Sequence, residues 1–371
     1  MRWNDWIQLQ HARISHWLPA LLTGAFAGVL FWIVGETPLL RAVALAIVIV
    51  GVALSVRRLG WGYSVLCGLA LASSPAYWDQ TGGGPTLNGW LVLLFMVFGG
   101  GGAAVLLLTS KRVFASFAVG LALFVGLYLV FGITQKSLRL TTILAAWLVY
   151  MTIMALRQTN PRPEEPPARP LSRRHVLGIL LLLTLGVLND PLFTLFAPAV
   201  ILGLWLSRAQ LPAWYWLVMV GVTVYGVVRM FGVYVSPEWT LAVSGEVTAT
   251  GQSIPYIVLD GWQDPQRWLG LTLFMGQQVG AVGIFLGVFG IARLSRWYPT
   301  LGVVLMAIYS MYGLFGLTYF GGDRDVLLLP ILMIHVICAT YAVYALVSWG
   351  ARSVAPLRRR GIFGGHPQSN V

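Results

Sequence analysis

Charge is scarce in this chain. Only 10% of its 371 residues are Asp, Glu, Lys or Arg, against roughly 25% in an ordinary soluble domain. That excludes a water-exposed globule. Acidic residues are the scarcer sign, 12 against 24 Lys and Arg, for a net charge of +12. Cysteine is almost missing. Cys67 and Cys338 both fall in apolar runs, which excludes a disulfide framework, and no CxxC or His-rich spacing offers a metal site. No cofactor motif is present either. The glycine runs Gly82–Gly84 and Gly99–Gly102 lack the Lys-Ser/Thr that a phosphate-binding loop needs. A convincing leader cleavage site is lacking too, so the first apolar run reads as a retained span.

What fills the chain is apolar. Hydrophobic residues make up 58% of it, with 16 Trp and 42 Gly. Runs of about 18 or more apolar residues recur, each long enough to cross a bilayer as a helix. A helix satisfies its own backbone groups, which lipid cannot do. The apolar runs do not alternate, so a barrel is not expected. The sequence predicts an all-α polytopic membrane protein with about twelve spans: 17–34, 39–56, 61–78, 86–108, 113–133, 138–156, 175–188, 191–206, 212–233, 268–292, 297–319 and 326–349. The seventh and eighth are short and parted by Asn189-Asp190-Pro191. They read as two spans, a re-entrant hairpin or one kinked helix.

The placement of charge orients the spans. With both termini cytoplasmic, 18 of the 24 basic residues fall on inner segments. Nine of the 12 acids fall on the outer side. That is the positive-inside pattern along the whole chain. The basic balance therefore implies cytoplasmic loops beside anionic lipid and no nucleic-acid partner.

Four segments stand out between and around the spans. Residues 1–16 place Trp3, Trp6, Ile7 and Ile14 near one helical face, as an interfacial arm or a docking element would. The stretch 157–174, rich in proline and charge, is an extended cytoplasmic linker. It divides the membrane region into a first half, 17–156, and a second, 175–349. The segment 234–267 is the largest outer loop, and 350–371 is a basic cytoplasmic tail. No internal repeat aligns the two halves, which argues against a transporter built from inverted repeats.

Ionisable groups at membrane depth are the candidate functional residues, since Asp or Arg at a span centre costs about 2.5–3.5 kcal/mol. The densest cluster is Asp323-Arg324-Asp325, between the last two spans after the turn Phe320-Gly321-Gly322. It reads either as a solvated turn or as an outer site. In the site reading Arg324 grips a phosphate and Asp323 or Asp325 holds the arginine in place. Arg229 lies about one turn from the outer end of its span. It either snorkels outward along Tyr225 or faces the bundle to meet an acid. Trp78-Asp79-Gln80 ends the third span, ahead of a glycine turn and a helix start at Thr86 and Asn88. Asp190 is a hairpin tip or a cavity-lining group. Gln277, Gln278 and His335 read as interhelical hydrogen-bonding partners.

Four stretches together carry a resemblance. They are SSPAYWDQTGGGPTLNGWLVLLF (73–95), TLGVLNDPLFTLFAPAVILGLW (184–205), FMGQQVGAVGIFLGVFGIARL (274–294) and YSMYGLFGLTYFGGDRDVLLLPIL (309–332). In this order, over roughly residues 40–350, they resemble the bacterial relatives of the transmembrane O-mannosyltransferases, within the GT-C glycosyltransferases. The resemblance implies a GT-C-like helical bundle in a bacterial cytoplasmic membrane and a polyprenyl-phosphate-linked sugar donor. It also implies transfer to a hydroxyl on the extracytoplasmic face. Arg324 would be the phosphate contact by its place in the last stretch, with Arg229 and Gln80 as further phosphate candidates.

The sequence also departs from that family. Its first outer loop carries an Asp-Ser-Gly-Glu motif followed by His-Pro-Pro-Gly-Tyr-Pro. Here the loop is only Gly35-Glu36-Thr37-Pro38-Leu39-Leu40-Arg41. Inverting transfer needs a base within about 3 Å of the acceptor hydroxyl, and Glu36 or Asp79 would have to supply it. Two functions stay open: a GT-C-type glycosyltransferase, or a non-catalytic accessory subunit of a larger membrane complex that has kept the scaffold.

Overall fold

A computed structural model describes residues 3–81, 138–161, 168–207, 211–234, 260–319 and 324–359. Every regular element among them is helical. In chain order these are α1 (Trp3–Ile33), α2 (Leu39–Ser55), α3 (Trp61–Ala72), α4 (Pro75–Trp78), α5 (Leu138–Thr159), α6 (Arg173–Asn189), α7 (Ala197–Leu206) and α8 (Ala213–Tyr234). Then follow α9 (Pro265–Trp297), α10 (Pro299–Thr318), α11 (Arg324–Leu327) and α12 (Leu329–Arg359). Five of them, α5, α8, α9, α10 and α12, are long and apolar enough to cross a membrane. Shorter apolar stretches lie at Trp17–Ile33, Arg41–Ser55, Trp61–Ala72 and Pro191–Leu206. The chain is an all-helical integral membrane protein. The expected spans 86–108 and 113–133 lie outside the described residues, as do Asp323, Thr86, Asn88, both glycine runs and nearly all of the outer loop.

Three elements differ from the sequence reading. Residues 3–16 are continuous with the first span in α1, which also contains Pro19. The third span, expected as 61–78, is two helices. Ser74 is extended (φ −73°, ψ 136°) ahead of Pro75, because a residue before proline avoids helical geometry. The Ser74 hydroxyl turns back to the Leu71 carbonyl at 2.8 Å. The 33-residue α9 is interrupted at Gly280, whose φ of 70° and ψ of 171° are non-helical. Only glycine adopts that geometry without strain.

The seventh and eighth segments form a hairpin. Thr141 at the start of α5 meets Asn189 and Asp190 at the end of α6. Asn160, just past α5, donates to the Leu206 carbonyl at the end of α7 at 3.3 Å. So α7 runs with α5 while α6 runs against it. The reversal happens at Asp190, whose Oδ1 accepts from the Leu192 N–H at 3.0 Å and caps a 3-10 helix over Pro191–Phe196. Six 3-10 residues and the ten of α7 rise about 27 Å together. That nearly matches a hydrocarbon core of about 30 Å. The tighter helix lengthens a segment that looked too short.

Glycines set the helix seams. A Cβ at Gly287 would lie 2.1 Å from the His335 ring, and one at Gly290 would lie 1.9 Å from the Cys338 carbonyl oxygen. These contacts advance together along α9 and α12, so the two helices are parallel. Gly24 and Gly28 of α1 meet Ala46, Val50 and Ala42 of α2 in antiparallel order. His335 bridges three helices: its Nε2–H donates to the Gly283 carbonyl at 2.9 Å, and Nδ1 accepts from the Tyr309 hydroxyl at 3.3 Å. It is a packing partner, as expected. One contiguous core joins α2, α5, α6, α10 and α12.

This packing sorts charge to the two ends of the bundle. One end carries Glu36, Asp79, Asp190, Asp260, Asp264 and Asp325; the other carries Arg57, Arg58, Arg157, Arg173, Arg174, Arg293, Arg296 and Arg352. They are called the acidic and basic ends below.

Candidate functional site at the acidic end

The acidic end also holds Arg41, Arg229, Arg267 and Arg324, and their fates differ. Arg41 starts α2 and is almost wholly buried. Its Nη1 donates to the Thr81 carbonyl at 3.1 Å. That bond ties the start of α2 to the short helical turn after α4. Arg229 turns toward the bundle. Its Nη1 donates to the carbonyls of Val187 at 3.2 Å and Leu188 at 2.9 Å, and the guanidinium lies over the Tyr225 ring at 5.7 Å. These carbonyls are among the last of α6, which no helical N–H reaches. Arg229 is thus a C-terminal cap, and it pairs with no acid among the described residues.

Arg267 and Arg324 form the remaining cluster. Asp264 caps α9 by accepting from the Gln266 N–H at 2.9 Å, which places Arg267 in the first turn. Arg267 donates to the Tyr319 carbonyl at 3.3 Å, just past α10. Arg324 begins α11 beside the same junction. Its Nη2 lies 4.0 Å from where a Cβ would stand on Gly270 of α9. Arg267 is within electrostatic reach of the Arg324 guanidinium and of the Asp264 carboxylate. Among the described residues Arg324 has one loose acidic neighbour, Asp325, at 3.9 Å, and Asp325 is exposed.

The other expected site residues gather around the same place. α11 packs against α4, and α4 leads directly into Asp79 and Gln80. α4 is also fixed to α9, where the Gln278 Oε1 accepts from the Ala76 N–H at 2.8 Å. The Glu36 loop joins from the other side: a Cβ on Gly35 would lie 3.2 Å from the Trp78 ring, and Phe31 packs edge-on against Trp78 at 5.1 Å. Asp79 and Glu36 are exposed, while Gln80 is 5% exposed and packed within the protein. Glu36 adopts φ 48°, the left-handed position that ends a helix and usually holds Gly or Asn.

Asp190 does not line an open site. It is 1% exposed, and the hollow it shares with Thr141, Thr142 and Tyr312 measures about 10 Å³, room for about one water. Among the described residues no cluster of His, Cys, Asp and Glu suits a metal ion.

The sequence reading passed over Arg267, counted only as an outer cation. The signal was present in Asp264-Pro265-Gln266-Arg267, a helix start that fixes where the arginine stands. Compared with family models, curated proteins and solved structures, the chain matches none.

Proposed function

We propose that this protein holds a phosphate-linked lipid at its acidic end, and that this end faces outward across a bacterial cytoplasmic membrane. The observation that carries this is the Arg267–Arg324 pair. Two like charges brought together repel, and an anion between them turns that repulsion into attraction. A phosphate fits, because a guanidinium presents two parallel N–H donors to its oxygens. The apolar helices supply a surface for a lipid tail.

With the resemblance to GT-C glycosyltransferases, the reading becomes sugar transfer from a polyprenyl-phosphate donor to a hydroxyl. Asp79 is the better base, since α4 packs against the helix that carries Arg324. Glu36 approaches from the neighbouring loop. A second reading is favoured by the exposure of both acids. Among the described residues nothing desolvates or orients them, as suits an accessory subunit that binds the lipid without acting on it.

The test is native mass spectrometry of the full chain in nanodiscs, with a short polyprenyl phosphate and the matching polyprenol. Charge-assisted hydrogen bonds are worth about 1.5–3 kcal/mol each. Arg324→Gln or Arg267→Gln should therefore weaken retention of the phosphate roughly tenfold or more and leave the alcohol unchanged. Equal retention of phosphate and alcohol by the native chain sinks the proposal. Sugar release that disappears in Asp79→Asn separates the enzyme from the accessory subunit.

A further inference from the structure

The basic end contains a cavity that none of the above uses. The last turns of α9 and α12 enclose an open space of about 250 Å³, far larger than the single-water hollow beside Asp190. Arg293 and Trp297 of α9 line it, with Tyr344, Ser348, Trp349 and Arg352 of α12. The spacing accounts for this. Arg293 and Trp297 are four residues apart, as are Tyr344, Ser348 and Arg352, so each set shares one helix face. The seam between these helices is closed at Gly287 and Gly290. Beyond Gly290, long side chains replace glycine and the seam opens.

Arg293 is held in a particular way. Its guanidinium lies over the Trp349 ring at 5.0 Å and near the Trp297 ring at 6.0 Å. Trp297 in turn stacks on Tyr344 at 5.3 Å, and Tyr63 of α3 braces Tyr344 edge-on at 5.3 Å. The aromatic rings take the faces of the guanidinium and leave its N–H edge for an acceptor. The buried Arg293 Nε finds no acceptor among the described residues. Neither Arg293 nor Arg352 has a carboxylate partner among them. Two cations therefore line one cavity, and no counter-charge stands beside them among the described residues. Ordinary basic residues at a membrane rim point into water beside lipid; here the donors line a cleft that opens at its Trp349 and Arg352 side.

We propose that this cavity binds the phosphate of an anionic lipid headgroup in the leaflet at the basic end. Arg293 supplies the forked donor, Arg352 the second cation, and Trp297 and Trp349 the flanks at the height of the lipid glycerol. The same phosphate chemistry could come from a free phosphate ion, and the experiment separates the two.

The full chain is placed in nanodiscs and examined by native mass spectrometry and thermal unfolding. The probes are phosphatidylglycerol, phosphatidylcholine and inorganic phosphate. One phosphatidylglycerol per chain should survive collision energies that strip phosphatidylcholine. Arg293→Gln should lower that retention about tenfold or more, and Arg293→Lys should fall between, because lysine lacks the fork. Should Arg293→Gln fail to fold, Ser348→Asp is the second variant. Its carboxylate would occupy the cavity from within, so lipid retention should fall and thermal stability should not. Equal retention of the two lipids, or unchanged phosphatidylglycerol in Ser348→Asp, overturns the proposal. Stabilisation by inorganic phosphate to the level reached with phosphatidylglycerol overturns the lipid assignment. None of these outcomes bears on the Arg267–Arg324 reading, which concerns the opposite end of the bundle.

Discussion

Replacing Gly290 with alanine tests the seam that aligns α9 with α12, and through it the geometry of both arginine clusters. The added methyl would lie 1.9 Å from the Cys338 carbonyl oxygen and 2.4 Å from its carbon. Real Cβ contacts essentially never fall under 3.0 Å, so the helices must part by more than 1 Å. The obstacle is backbone, and no rotamer change removes it. A radial gap of about 0.5–1 Å already forfeits a quarter to a half of the contact energy around it. Overpacking costs about 1–3 kcal/mol, and a backbone collision belongs at the upper end. Alanine's better helix propensity returns about 1 kcal/mol. The net loss is about 2 kcal/mol, a factor of roughly 30 in the ratio of folded to unfolded protein. Gly221 of α8 is the control, because a Cβ there meets nothing within 4 Å. Gly221→Ala should keep the propensity gain and lose nothing. Thermal midpoints in one detergent, read from tryptophan fluorescence, compare the two. Gly287→Ala adds a second arm, since its methyl strikes the His335 side chain instead of backbone. It should cost less in a His335→Ala background than in the native one, whereas Gly290→Ala should cost the same in both. A midpoint for Gly290→Ala at or above that of Gly221→Ala would refute the seam.

Three further outcomes follow from named contacts. Asp190→Ala should cost about 0.5–2 kcal/mol, the value of a helix cap, while Asp190→Asn keeps an acceptor for the Leu192 N–H and should cost much less; equal losses would mean that the charge matters and the cap does not. Arg229→Ala removes a bond to each of the Val187 and Leu188 carbonyls and should lower stability by about 1–2 kcal/mol, the low end for charged hydrogen bonds because the side chain is half-exposed; a native midpoint would show that water caps α6 equally well. Orientation is read by cysteine labelling: a membrane-impermeant maleimide added outside intact cells should label Glu36→Cys and not Ala168→Cys, with Cys67 and Cys338 silent because both are fully buried. Labelling of Ala168→Cys alone would invert the topology.

The helices were legible because hydropathy over long runs is a strong signal. The described spans start or stop within a few residues of where the apolar runs do. What the runs could not show is interruption. Ser73-Ser74-Pro75 and Gly280 both sit inside continuous apolar sequence, and a hydropathy sum barely registers one serine or glycine. The direction of α7 was open for a related reason. Sixteen residues looked too short to cross, and only the 3-10 geometry after Asp190 supplies the missing length. At the site, Arg324 was found because it stands among other charges. Arg267 was overlooked because its partner is 57 positions away in the chain, and only the packing of α9 against the α10–α11 junction brings the pair together. The burial of Gln80, 5% exposed, was likewise not legible, because it depends on how α4 packs.

The arginines that the sequence placed on cytoplasmic segments are not all of one kind, and the difference bears on where a ligand belongs. Arg157 was read as the first residue of a solvated linker, yet it is 3% exposed. It donates to the Tyr341 hydroxyl and lies between the rings of Tyr298 and Tyr341 at 6.0 and 5.7 Å. Tyr298 in turn donates to the Asn160 carbonyl. Neutral oxygens and ring faces from α5, α12 and the α9–α10 turn thus pin this cation where three helices meet. A hydroxyl and two rings already hold the Arg157 guanidinium, although its Nε has no acceptor among the described residues. Arg293 has the same aromatic support, from Trp297 and Trp349, but in place of a hydroxyl it has a cavity. A cation in a chain this poor in charge needs a partner, because an uncompensated one costs several kcal/mol at membrane depth. Where the fold supplies the partner, as for Arg41, Arg157 and Arg229, the arginine holds helices together. Where the fold supplies rings and open space, and no acceptor stands among the described residues, the proposed anionic headgroup takes the place of the partner.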